Sequence, residues 1–451
     1  MVRSIRVRYL VLLVALNLIL VLACLPAESG PSTPTPIGPF MLPTPTPLPP
    51  TPTPTPLPSL NTGTVVREMS RRHEMLAADK VDDALAAFLP AHTRRAAQYG
   101  VDTYRIWFRT RDENDLVVSI QADLRFPRVE TGTEFPVFVY GSGTTGIANA
   151  CATLNEQFSS RDWGDYRAHM MSYASQGYIT ILPNWQGYDD RDRTHPYFVA
   201  DLEGRVLLDA ARAVYDFFEE PPNGDILARP STAVFFGGYS QGGHGAFAAD
   251  RLAGSYAPEL DIKGIIGHAT APDVEGLMYD SPRYAPYIVY AYRQFYGADV
   301  VDPARVFLPR WLPTFEPDVT SKCIDEVLNY YPNDAARLLT PEFSEALYNH
   351  RLTEAFPAFK EKLDLNYVGN GVSGSAPAVI MHGGADDIVR VRTVERFIGQ
   401  MCDAGKDVSY NLFMGVNHFQ TRQYSFVRTL DWMKAVLDGS PPESICGGVG
   451  G

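Results

Sequence analysis

Two apolar patterns organise the chain from Tyr104 onward. Residues 104–109 and 116–126 alternate apolar and polar side chains on either side of Arg111-Asp112-Glu113-Asn114-Asp115, the signature of an antiparallel hairpin, here expected as edge strands of a sheet. Short continuous apolar runs follow at 137–140, 178–182, 232–236, 262–266, 376–382 and 408–414, as expected of strands buried on both faces. Between them the spacing turns helical. Residues 201–218 bring Val206, Ala210, Val214 and Phe217 to one face, and further helices are expected over 241–253, about 394–401 and about 425–437. Ahead of the hairpin, residues 63–100 read as a helical lead-in carrying Met75, Leu76, Val81, Leu85 and Phe88. Strands alternating with helices predict an α/β chain with a mostly parallel, doubly wound sheet.

The alternation stops at residues 271–370. That segment holds Tyr279, Tyr284, Tyr287, Tyr290, Tyr292, Phe295 and Tyr296, at spacing that suits packing. An insertion between late strands of such a sheet falls over the mouth of the site at the strands' C-terminal ends. It is therefore expected to be a helical cap supplying apolar walls.

The N-terminus carries no fold. Arg3, Arg6 and Arg8 precede an apolar run from Tyr9 to Ala23, which makes residues 1–23 a signal peptide too short to span a bilayer. Val21-Leu22-Ala23-Cys24 resembles a bacterial lipobox, so Cys24 is expected to carry a lipid anchor to the cell envelope; plain secretion with cleavage near Ala27 is the alternative. From Pro31 to Pro58, thirteen of 28 residues are proline, so 24–62 should be an extended tether of about 90 Å, at about 3.1 Å per residue. The catalytic core is then expected over 63–270 and 371–451, with 271–370 as the cap insertion.

Charge and cysteines narrow the class. A formal charge of −13, with no basic cluster beyond Arg71-Arg72 and Arg94-Arg95, argues against a nucleic-acid partner. Besides Cys24, four cysteines remain, and an even number in an oxidising compartment suggests two disulfides among three possible pairings. Their placement favours Cys151 with Cys323, and Cys402 with Cys446. None has metal-ligand spacing, and no cofactor is expected.

The chemistry centres on Gly238-Tyr239-Ser240-Gln241-Gly242, a G-x-S-x-G turn between an apolar run and a helix. Such a turn lifts a serine hydroxyl clear of the sheet and aims a helix N-terminus at incoming negative charge. A serine needs a base and a carboxylate to orient that base. Asp386 and His418 follow in the order Ser, Asp, His, each just beyond an expected strand. Asp387 could instead be the acid, with its neighbour capping the next helix; spacing favours Asp386. His244 and His382 read as packed or hydrogen-bonded residues. The backbone N–H of Gln241 is the expected oxyanion donor, and Thr144, in the loop Gly141-Ser142-Gly143-Thr144-Thr145-Gly146, supplies the second.

Gly238 to His244, His195-Pro196-Tyr197-Phe198 with Leu207-Leu208-Asp209-Ala210, and Gly143-Thr144-Thr145-Gly146 together resemble the secretory lipase family of capped α/β-hydrolases. His382-Gly383 through Asp386 to Val389 is similar to the acid turn of many α/β-hydrolases. The resemblance covers about residues 100–438. It implies an α/β-hydrolase fold and hydrolysis of small-molecule or lipid carboxylic esters, with Ser240 as nucleophile, His418 as base and then acid, and Asp386 as its orienter. The chain has Ser142-Gly143 where the family often has His-Gly, although a backbone donor there needs no particular side chain. Two alternatives stand beside this reading: a prolyl oligopeptidase-like peptidase, without any β-propeller or repeat domain in the sequence, and a surface binding protein on an inactive hydrolase scaffold.

Overall fold

The structure, a computed structural model, describes residues 62–157 and 163–448. The signal peptide, Cys24 and the proline tether up to residue 61 lie outside the described residues.

One nine-stranded sheet forms the frame, in the order β1-β2-β3-β5-β4-β6-β7-β8-β9. Its strands are β1 (Arg71–Leu76), β2 (Val101–Arg111), β3 (Val117–Pro127), β4 (Thr133–Gly141), β5 (Ile179–Pro183), β6 (Ala228–Tyr239), β7 (Asp261–His268), β8 (Ala378–Gly383) and β9 (Val408–Phe413). The first three strands join by antiparallel ladders, β3 pairs antiparallel with β5, and every pairing from β5 to β9 is parallel. The parallel strands are the apolar runs, and in β4 Val137 to Tyr140 have no exposed surface. The inner parallel strands β4 to β8 are buried along most of their length, whereas the outer strands β1 and β9 are partly exposed.

Helices α1 (Ala78–Phe88), α2 (Tyr166–Ala174), α3 (Ala200–Glu219) and α4 (Gln241–Tyr256) precede β7. Nine helices, α5 to α13, occupy Val274 to Leu365 between β7 and β8, and α14 (Val391–Asp403) and α15 (Thr421–Leu437) follow. Cys151–Cys323 ties the loop after β4 to this helical stretch, and Cys402–Cys446 ties the chain end to α14. Both pairings are those expected from the sequence.

Three expectations need correction. The lead-in is not one helix: Arg71 to Leu76 is a strand, and Ala77 turns extended before α1 begins. Met75 is 49% exposed and pairs with Asp102, so the helical spacing of Met75 and Leu76 with Val81 was coincidental. The hairpin is not at the sheet edge, because β1 covers β2 and β5 covers β3. Helix α2 was not anticipated. Eight of its nine residues are buried and only Arg167 is exposed, so no polar face marks its period.

Candidate active site

Ser240 sits between the end of β6 and the first residue of α4, with φ 53° and ψ −113°. Few non-glycine residues adopt that backbone, and it persists because the packing around it leaves no alternative. A Cβ on Gly238 would stand 1.9 Å from the carbonyl oxygen of Gly242, and one on Gly242 1.9 Å from that of Gly141. Glycine at both flanks is therefore a packing requirement. The same register places Gly238 beside Gly141, so the turn and the glycine-rich loop after β4 lie side by side.

The acid turn follows β8. Asp386 is buried and its Oδ1 accepts the N–H groups of Ile388 and Val389 at 3.0 and 2.9 Å. Its Oδ2 stands 2.7 Å from Nδ1 of His418. Burial pushes the Asp386 carboxyl up, but the neighbouring rings of His418 and His382 and the Val389 N–H outweigh it and hold the group below the usual carboxylate range. Asp387 is exposed, which leaves Asp386 as the carboxylate facing the histidine. His382 is a packed residue, its Nε2 3.0 Å from the Val389 carbonyl. His244 is buried between Glu203 and the carbonyl of Asn366.

A cavity of about 480 Å³ is lined by Thr144, Ser240 and His418 together. Among the described residues no hydrogen bond joins Ser240 to His418; they share the cavity, while Asp386 and His418 are in contact. Its lining also includes Tyr284, Ile324 and Leu328 from the helical stretch, and Phe88 and Trp163 from elsewhere in the chain. The stretch is fastened near the serine: Ile324 N–H donates to the Thr145 carbonyl at 2.9 Å, next to the Cys151–Cys323 bond. In the loop after β4, Gly143 N–H already donates to the Tyr166 hydroxyl at 2.7 Å, whereas the Thr144 hydroxyl meets that of Tyr197 at 2.6 Å. Ser142 bonds Thr153 at 2.7 Å and accepts Trp185 Nε1–H on its carbonyl at 3.3 Å.

Sequence reasoning missed two sets of residues. Arg422, one turn beyond His418, is buried against the rings of Tyr166 and Tyr239, each 4.6 Å from its guanidinium carbon, and donates to the Gly164 carbonyl on the cavity wall. Its position four residues after the base gives no chemical signal. Glu203 sits behind the Ser240 turn, bonded to Gln241 and His244. That one was findable: it is an acid three residues before Val206 on the apolar face of α3.

Known proteins bear out the likeness read from the motifs. The profile of the secretory lipase family matches residues 167–293. Lipase A of Moesziomyces aphidis is 22% identical over 288 residues, 60% of this chain and 57% of that protein. The chain thus spans a little over half of that relative. A secreted triacylglycerol lipase of Malassezia furfur is 22% identical over 310 residues, 63% of this chain and 73% of the relative. Among solved structures, Candida antarctica lipase A in its closed state superposes with a TM-score of 0.63 at 19% identity, covering 86% of this chain and 85% of that one. The rice cell wall degrading esterase LipA of Xanthomonas oryzae, bound to a ligand, gives 0.66 at 19% identity, covering 84% of this chain and 100% of that one. The fold is that of the α/β-hydrolases.

Proposed function

We propose that the chain is a serine hydrolase of carboxylic esters, lipid esters among them, working through an acyl-enzyme. The observation that carries this reading is the 2.7 Å contact between Asp386 and His418 on a ring that lines the same cavity as Ser240. With Nδ1–H donated to Asp386, the far nitrogen of His418 is left as a base. It takes the Ser240 proton as Oγ bonds the ester carbonyl carbon, and the carbonyl electron pair moves onto oxygen. The N–H groups of Gln241 and Thr144 are the donors for that oxyanion. His418 then gives its proton to the leaving alcohol, the C–O bond breaks, and an acyl-serine remains. Water, deprotonated by the same ring, repeats the sequence and releases the acid.

Helices α5 to α13 act as a cap over this site, on a core formed by residues 63–270 and 371–451. Two disulfides and the likeness to secreted lipases support an extracytoplasmic setting. Anchoring through a lipidated Cys24, with 24–62 as spacer, is the finer reading; it rests on the sequence alone, and the curated relatives are fungal rather than bacterial.

The test uses p-nitrophenyl esters of graded chain length and chromogenic peptides, with the wild type beside Ser240→Ala. Ester cleavage that vanishes in Ser240→Ala is expected. Equal inertness of both proteins on every ester, or cleavage of peptides alone, would overturn the reading.

A further inference from the structure

Behind the Ser240 turn lies a buried polar network that the reaction above does not use. The Gln241 side chain is fully buried, its Nε2 lying 2.7 Å from Nε2 of His195 and 2.8 Å from Oε1 of Glu203. His195 faces the Gln186 carbonyl with Nδ1 at 3.0 Å, and burial pulls its pKa down to about 3. It is therefore neutral, donates from Nδ1 and accepts from the Gln241 amide. Oε1 of Glu203 also accepts the Phe198 N–H at 3.1 Å, and Oε2 stands 2.6 Å from Nδ1 of His244. The other nitrogen of His244 is 2.6 Å from the carbonyl oxygen of Asn366. Both ring nitrogens of His244 thus face oxygen atoms, which fixes the ring between Glu203 and Asn366.

The network has two ends. One is Gln241, whose peptide N–H is the proposed oxyanion donor. The other is Asn366, the residue that follows α13 as the chain leaves the helical stretch; its side chain accepts the Ala200 N–H at 2.9 Å and donates to the Tyr296 hydroxyl at 2.7 Å. Glu203 is the node between them. Three groups, the Phe198 N–H, the Gln241 amide and the His244 ring, meet its two oxygens, and it is only 2% exposed.

We infer that Glu203 is a positioning residue of the ester-cleaving site: it pins the Gln241 peptide so that its N–H points at the developing oxyanion, and it ties that peptide to the base of the cap. This rests on the reading of Ser240 as nucleophile. The physical ground is that an oxyanion donor counts only when it is held in place, and that small misplacements of catalytic groups are expensive in rate. The peptide between Ser240 and Gln241 is held on its carbonyl side, where Ser240 O accepts the N–H groups of His244 and Ala271 at 3.2 Å each, and the Glu203 bond to the Gln241 side chain adds a hold from the N–H side. Substrate binding does not use the network, so the loss should fall on kcat.

The experiment compares full-length wild type with Glu203→Gln on p-nitrophenyl butyrate, counting active sites by the burst with diethyl p-nitrophenyl phosphate. It also measures inhibition by an alkyl trifluoromethyl ketone, whose serine adduct carries an oxyanion. Glu203→Gln should lose about 10- to 100-fold in kcat per titrated site, keep KM within about threefold, and weaken the ketone by a matching factor. A kcat per site within twofold of wild type, a rise in KM with kcat kept, or unchanged ketone affinity would overturn the inference. If Glu203→Gln does not fold, Gln241→Met breaks the network from its other end while leaving the peptide N–H. The same kcat loss supports the inference there, and full kcat overturns it. A wild type that the phosphate does not titrate at Ser240 would instead overturn the ester-hydrolase reading.

Discussion

Two buried histidine–carboxylate pairs flank Ser240, and at the contact itself they are nearly alike. His418 meets Asp386 at 2.7 Å and His244 meets Glu203 at 2.6 Å, each through Nδ1. They differ at the other end of the ring. His244 is stopped by the Asn366 carbonyl, whereas His418 stands on the wall of the cavity that holds Ser240. A carboxylate partner only orients an imidazole; a free nitrogen aimed at the nucleophile is what would make it a base. A third carboxylate, Glu156, has backbone in place of a ring: it accepts the N–H groups of Trp163, Asp165 and Tyr166 at 2.8, 2.9 and 2.7 Å, holding the loop that lines the same cavity.

The sharpest break of this comparison is Asp386→Asn. It should keep the fold and lower kcat on p-nitrophenyl butyrate about 10⁴-fold, equivalent to about 5.5 kcal/mol, because the ring loses its orientation and its tautomer. Next, His244→Leu leaves Glu203 buried without its ring partner, and urea unfolding should show a loss of about 3–5 kcal/mol, with less effect on kcat than Asp386→Asn. If His244→Leu folded normally and abolished turnover while Asp386→Asn turned over freely, the roles of the two pairs would be reversed.

Glu156 gives the smallest effect, and its sign differs from that of Asp386. Burial raises its pKa from an ordinary 4.5 to about 7, against the pull of its backbone donors. Between those values the folded chain holds a proton that the unfolded chain releases, so the contribution of Glu156 to stability is fully present below the lower value and falls as pH rises through the higher one. The loss amounts to at most about 3 kcal/mol. Unfolding free energies from pH 4 to 8 should slope downward by that amount more in the wild type than in Glu156→Gln. For Asp386, whose pKa is lowered in the fold, the contribution is instead present above the unfolded carboxylate value and lost as pH falls through the folded one.

Much of this frame was legible in the sequence for one physical reason: parallel strands buried on both faces leave continuous apolar runs, and Gly238 and Gly242 are demanded by atoms that a Cβ would strike. Asp386 and His418 could be named because each follows such a run. The sequence was silent where burial erases contrast. Helix α2 exposes only Arg167 of its nine residues, and β1 shares with α1 a spacing that only the extended backbone at Ala77 interrupts. Arg422 and Glu203 depend on which neighbours the fold brings to them, which periodicity does not record. Glu203 at least left a trace, as an acid among the apolar positions of α3.

The most direct test of the central claim is covalent. Wild-type protein treated with an alkyl fluorophosphonate, then digested and read by mass spectrometry, should carry one adduct, on Ser240, formed far more slowly in Asp386→Asn. Labelling at another residue, or equal labelling of Ser240 with and without the Asp386 carboxylate, would contradict the account.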